Sequence, residues 1–232
     1  MSPLGKKVLL AAAVVVVAVV GGPWVYINVI KDDTPEALTL DTVPTTIGAA
    51  SDTTVVTSAS DVEGEWVATS ESVVGYRVRE ILFGQSTEGV GRTNSVTGSL
   101  VVSESVVTTA SFTVEMATLM SDSDRRDRQV AGRILDVASY PTSSFELLEP
   151  ITLSPESLDG VELAVTAKGT LTLRGVSREV SVPLMAQLVD GTISVNGTIE
   201  IVFADWGIPD PSVSAISVED RGLLEFLIAF GR

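Results

Sequence analysis

The chain contains no histidine and no cysteine, so any chemistry it performs falls to carboxylates, lysine, tyrosine and hydroxyl groups. Zinc, copper and haem sites of the usual kinds lose their imidazole and thiolate ligands. A serine-type triad loses its usual base, and neither a disulfide nor a thiol nucleophile can form. Arg125, Arg126 and Arg128 form a compact cationic group interleaved with Asp122, Asp124 and Asp127. Guanidinium groups can meet a diphosphate or another polar head group through charge-assisted hydrogen bonds. The same interleaving also suits a solvated helix whose charges pair locally. Asp205, before Trp206, would serve as a general acid or base only beside a second carboxylate; otherwise it reads as part of a turn or cap. Asn196-Gly197-Thr198 fits the glycosylation sequon but lies inside a strand-like run and is given no role.

The elements that must position these groups are strands. Val74, Tyr76 and Val78 occupy alternate positions, as do Leu100 and Val102, and then Ala110, Phe112, Val114 and Met116. The longest run is Val161, Leu163, Val165, Ala167, Gly169, Leu171 and Leu173. Further runs extend from Val180 to Leu188, from Ile193 to Phe203 and from Leu224 to Phe230. A period of two sustained over so many segments means one face in and one face out. Val and Thr supply much of the bulk, and β-branched side chains suit a pleated surface. Asp190-Gly191 and Arg174-Gly175 separate adjacent runs and read as tight hairpin turns. Successive hairpins build an up-and-down meander, and closing it into a barrel removes the exposed edges. Ser121–Leu135 lacks the alternation. It reads as a short helix capped by Ser121 or Asp122, with Val130, Ile134 and Leu135 turned over one barrel mouth.

Ahead of this domain, residues 8–30 form an apolar stretch long enough to cross a bilayer as one helix. Lys6 and Lys7 precede it and place residues 1–7 in the cytoplasm by the positive-inside rule. A cleaved signal peptide with its apolar region at Val8–Val20 is the competing reading. Either way the remainder lies outside the membrane. Residues 31–62 are rich in Thr, Ser, Asp and Pro and read as a flexible stalk, leaving 63–232 as the β-domain. Beyond Lys31, twelve of the fifteen cations face all thirty acids, a balance of −18. So acidic a domain is poorly suited to nucleic acid, whose phosphates need clustered cations.

Several motifs, taken in order, resemble the YceI-like proteins. The stretch EWVATSESVVGYRVREILFGQ is similar to that family's first strand pair. Asp124–Asp136, then Ser139-Tyr140-Pro141 and Phe145, resembles its Arg-Asp motif. Gly169-Thr170-Leu171-Thr172-Leu173-Arg174-Gly175-Val176 resembles its Leu-Thr hairpin, and Phe203-Ala204-Asp205-Trp206-Gly207-Ile208 its Asp-x-Gly-Ile turn. The resemblance implies an all-β, eight-stranded antiparallel, lipocalin-like barrel with one short helix, here preceded by a single N-terminal transmembrane helix. It also implies a bacterial envelope location and a cavity holding a polyprenyl or quinone-like chain, with no other cofactor. Family members often carry histidine where Glu80 and Gln129 stand here, so roles resting on histidine are not carried over.

Under that reading the cavity is lined by Tyr76, Val78, Phe112, Val114, Met116, Phe145, Val165, Leu171, Leu184, Phe203 and Phe226, with Arg125, Arg126 and Arg128 toward a head group. Gly169 and Gly197 fall at inward positions, where missing side chains either open space or mark tight bends. The partners expected are an isoprenoid lipid, the membrane through the N-terminal helix, and a second copy in a homodimer. One rival is an envelope interaction module whose barrel is filled by its own side chains. Another is a cyclase or isomerase using Tyr76 and paired carboxylates, disfavoured because none of these inward positions is acidic. The chain is therefore expected not to be an enzyme.

Overall fold

A computed structural model describes residues 34–40, 62–82, 84–213 and 216–232. The expected membrane span at 8–30 and most of the stalk lie outside them. Among the described residues no helix is long and apolar enough to cross a membrane.

The alternating runs become one closed antiparallel barrel. Its ring consists of β1 (Gly64–Ala68), β4 (Val96–Ser103), β5 (Val106–Glu115), β7 (Thr142–Leu147), β9 (Leu163–Leu173), β10 (Val176–Val189), β11 (Thr192–Val202) and β13 (Arg221–Gly231). These eight pair in that order, and β13 returns to β1 through Val67↔Gly231 and Ala68↔Phe230. The order is the expected meander with one departure. β2 (Val73–Leu82) and β3 (Gln85–Thr93) are not inserted between β1 and β4. They extend from the same edge of β13, with Leu223–Leu227 of β13 paired to β2. Two-residue strands β6 (Met120–Ser121) and β8 (Ile151–Thr152) and the short β12 (Ile216–Val218) complete the sheet.

Both expected hairpins form with two-residue turns. Asp190 and Gly191 have φ of 49° and 75°, and Arg174 and Gly175 have 50° and 73°, the positive pair of a turn whose twist matches the strands. A third turn, Glu104-Ser105 at 53° and 60°, joins β4 to β5 with no glycine to announce it. Val161 departs from its run. It is exposed, and β9 starts at Leu163. The one-turn helix α2 (Pro155–Leu158) precedes it, and the Val161 amide donates to the Glu156 carbonyl, so this residue closes a helical turn and does not pair.

The charged segment folds as α1 (Asp124–Gln129), continued by a wider turn over Val130–Ile134. Its cap is Ser123, which accepts from the Arg126 amide, not Ser121 or Asp122. Ser121 instead donates its hydroxyl to Asp127 at 2.6 Å, which ties β6 to the helix.

One face breaks the simple alternation. Glu225, Leu227 and Ala229 of β13 point away from the barrel axis yet are buried. Residues 34–40 lie against this wall. Leu38 is buried, and its carbonyl accepts from Asn196 at 3.2 Å. Arg77 donates to the Pro35 carbonyl at 2.8 Å and Arg92 to that of Glu36. The two arginines flank Glu225, with Arg92 at 2.8 Å and Arg77 at 3.2 Å, and Arg77 also reaches Glu88 at 2.7 Å. Burial works against the Arg77 charge, but Glu88 and Glu225 outweigh it and hold its pKa above the ordinary value.

Candidate lipid-binding cavity

The barrel interior is hollow in two unequal parts. The larger, about 650 Å³, lies at the end covered by α1, and the smaller, about 120 Å³, lies beneath it toward α2. A slim apolar ligand is the natural occupant of an eight-stranded barrel of this kind. Both exceed the roughly 10–15 Å³ that a single water needs, so the side chains leave room at each level and more of it in the larger cavity.

Alternation put the expected residues on the inner face, but strand pairing decided which cavity each one serves. Tyr76, Val78, Val114, Met116, Leu171 and Phe203 line the larger cavity. Phe145, Val165, Leu184 and Phe226 line the smaller. Phe112 lines both. Val130, Ile134 and Leu135 of the helical segment do turn over the mouth of the larger cavity. Ile201 and Leu224, members of the alternating runs but not of the expected lining, also line it, as does Leu119, which belongs to no run. For Leu224, two residues before Phe226, the period-two rule supplied a sufficient signal.

The inward glycines neither open space nor mark bends; they are recesses for neighbouring rings. A Cβ on Gly169 would come within 2.2 Å of the Phe145 ring, and one on Gly197 within 2.8 Å of the Phe226 ring. Gly91, paired with Tyr76 across β2 and β3, would meet the Tyr76 ring at 2.4 Å. A ring beside a cross-strand glycine covers backbone that would otherwise be bare.

The mouth is polar, and the expectation of an inward face without acids fails there. Glu80 continues the series Tyr76, Val78, lines the larger cavity and is buried. Its carboxylate is 3.0 Å from Arg126, which also pairs with Asp122. Arg126 lies over Gly89, where a Cβ would stand 3.1 Å from Nε. Burial opposes the Arg126 charge; Glu80 and Asp122 more than offset it, and its pKa is raised. Burial pushes the Tyr76 phenol up to about 12, with Arg126 pulling the other way, so the phenol is neutral at ordinary pH. Arg125 and Gln129 also reach the cavity; Arg128 is not among its lining residues. The charged residues at the mouth are thus two acids and two arginines.

Other expected features lie elsewhere. Asp205 is half-exposed on the outer surface, 3.6 Å from Arg178, in a 3₁₀ turn that ends at Gly207 with φ of 61°. The Tyr-Pro and Leu-Thr hairpin motifs meet each other: the Arg174 guanidinium stacks 5.8 Å from the centre of the Tyr140 ring, and that ring fills the space beside Gly175. Among the described residues no cluster of three or more acids is placed to hold a metal ion.

Residues 66–230 match the family model of the YceI-like domain. The fold is similar to that of a polyisoprenoid binding domain from Saccharophagus degradans implicated in plant cell wall breakdown, with a TM-score of 0.57 and 15% identity over 73% of this chain and 98% of that one. It is also similar to BcnA of Burkholderia cenocepacia, with a TM-score of 0.50 and 18% identity over 67% of this chain and 95% of that one. No curated protein matches the chain.

Proposed function

The chain belongs to the YceI-like domain family, and on that premise we propose that its barrel binds an isoprenoid lipid with an uncharged polar head. The observation that carries this reading is the cavity of about 650 Å³, walled by aliphatic and aromatic side chains, with a mouth where Arg126 is paired to both Glu80 and Asp122. Each methylene of a tail buried there contributes roughly 0.8 kcal/mol, so a short isoprenoid already has a sufficient driving force. That the Saccharophagus protein is a polyisoprenoid binding domain supports the same ligand class.

The head group follows from charge. Arg126, the cation deepest in the mouth, already faces Glu80 and Asp122. A diphosphate would have to displace those carboxylates or sit beside them, at the cost of like-charge repulsion in a partly desolvated site. A hydroxyl or quinone carbonyl needs only a donor, and the Tyr76 phenol and Gln129 amide supply one. The same reading takes residues 8–30 as the anchor that keeps the barrel beside the bilayer from which its ligand comes.

Mass spectrometry of lipid extracted from the purified full-length chain tests the proposal. Prenols or isoprenoid quinones in near-stoichiometric amount are expected. A uniformly empty barrel would sink the reading, and a cargo of prenyl diphosphates would sink its head-group part.

A further inference from the structure

Among the described residues, Phe112 alone lines both cavities. Its ring stacks on Phe145 with centres 5.5 Å apart and an interplanar angle of 19°, and meets Phe226 at 5.7 Å and 41°. The three rings form a plate across the barrel. Its outer members are fixed from behind. Phe145 is seated over Gly169 and Phe226 over Gly197, in recesses that no other residue type would leave. Phe112 is held at its base, where its Cα and Cβ crowd the position a Gly98 side chain would take, but its ring is only half-buried and faces the larger cavity. The walls beyond the plate remain apolar, with Val165, Leu184 and Ile193 around the smaller space. Apolar lining therefore continues along the barrel, and a side chain interrupts it.

We propose that the Phe112–Phe145–Phe226 plate sets the length of isoprenoid the barrel accepts, with Phe112 as the residue that determines it. This rests on the isoprenoid reading above and adds a length limit to it. Tail units above the plate gain burial with each methylene. The next unit has to displace an offset aromatic stack before entering a space of about 120 Å³. Affinity therefore rises with chain length up to the plate and falls beyond it, because extra units must either displace the stacked rings or stay in water. Truncating Phe112 removes the shared wall and joins the two spaces.

The test offers the purified full-length chain an equimolar series of all-trans prenols of increasing length and quantifies what it retains by mass spectrometry. The native chain is expected to retain members up to a sharp upper length. F112A and the milder F112L, each checked for native β-sheet by circular dichroism, are expected to shift retention to longer prenols, with about tenfold enrichment of the first members beyond the native limit. F112L carries the test if the alanine variant does not fold. An unchanged length profile in the folded variants overturns the length limit while leaving isoprenoid binding intact. Failure of the native chain to retain any prenol overturns both readings.

Discussion

Among the described residues two buried glutamates hold arginines, and they serve opposite sides of the barrel wall. Glu225 sits on the outer face of β13, 2% exposed, between Arg92 and Arg77. Those arginines spend their remaining donors on the carbonyls of Pro35 and Glu36 and on Glu88. Glu80 sits on the inner face of β2, 5% exposed, and shares Arg126 with Asp122 at the cavity mouth. The first arrangement binds protein to protein on every side. The second has cavity on one side, where a ligand head can arrive. The same ion pair is therefore a clamp in one place and, under the proposed function, a charge filter in the other, and what it faces makes the difference.

The contrast can be broken most strongly at Glu225. E225A leaves two half-buried guanidinium groups side by side, with Arg77 still paired to Glu88, and the expected cost is about 3 kcal/mol, the low end for a buried pair. Urea unfolding should show that loss, with the prenol-to-diphosphate preference of the folded fraction unchanged. A loss below about 1 kcal/mol would show that the cluster behaves as an ordinary surface pair.

Tyr76 sharpens the inner side. Its folded pKa of about 12 lies above the unfolded value of 10, so the folded state holds the proton more tightly. The associated stability is fully present below pH 10, amounts to roughly 2–3 kcal/mol, and is lost as pH rises through about 12. Alkaline unfolding of Y76F should lack that loss. Ligand binding by the native chain should stay flat through neutral pH, where the phenol remains protonated.

E80Q acts on selectivity more than on stability. Asp122 still holds Arg126, so the expected destabilisation is about 1–2 kcal/mol. With one of its two carboxylates neutralised, Arg126 should raise affinity for a prenyl diphosphate relative to the matching prenol about tenfold, or 1.4 kcal/mol. Competition binding reads the ratio directly, and an unchanged ratio would remove Glu80 from head-group selection. The smallest effect is expected at Ser123, whose hydroxyl caps α1 over the mouth. S123A should cost about 1 kcal/mol and speed ligand release in stopped-flow measurements, while leaving equilibrium selectivity alone.

Glu80 also marks the limit of what was legible. Its position two residues after Val78 placed it inward by the same rule that found Tyr76, yet an acid in an apolar series looks like an exception until Arg126, forty-six residues later, is seen to reach it. Glu225 was readable only as outward, hence exposed. The packing of residues 34–40, from a stretch that reads as stalk, against that wall is a contact between segments nearly two hundred residues apart.

Composition and alternation determined the strands, the meander, two of its hairpins and the inward face, because a period of two is a local property of each run. The missing histidine and cysteine removed whole classes of chemistry before any fold was known. Tertiary structure decided that β2 and β3 branch from β13, which ring enters which glycine recess, and where the hollow is divided. Those outcomes depend on register between strands distant in the chain. A single local pattern constrains which way a side chain points, and leaves undetermined what stands opposite it.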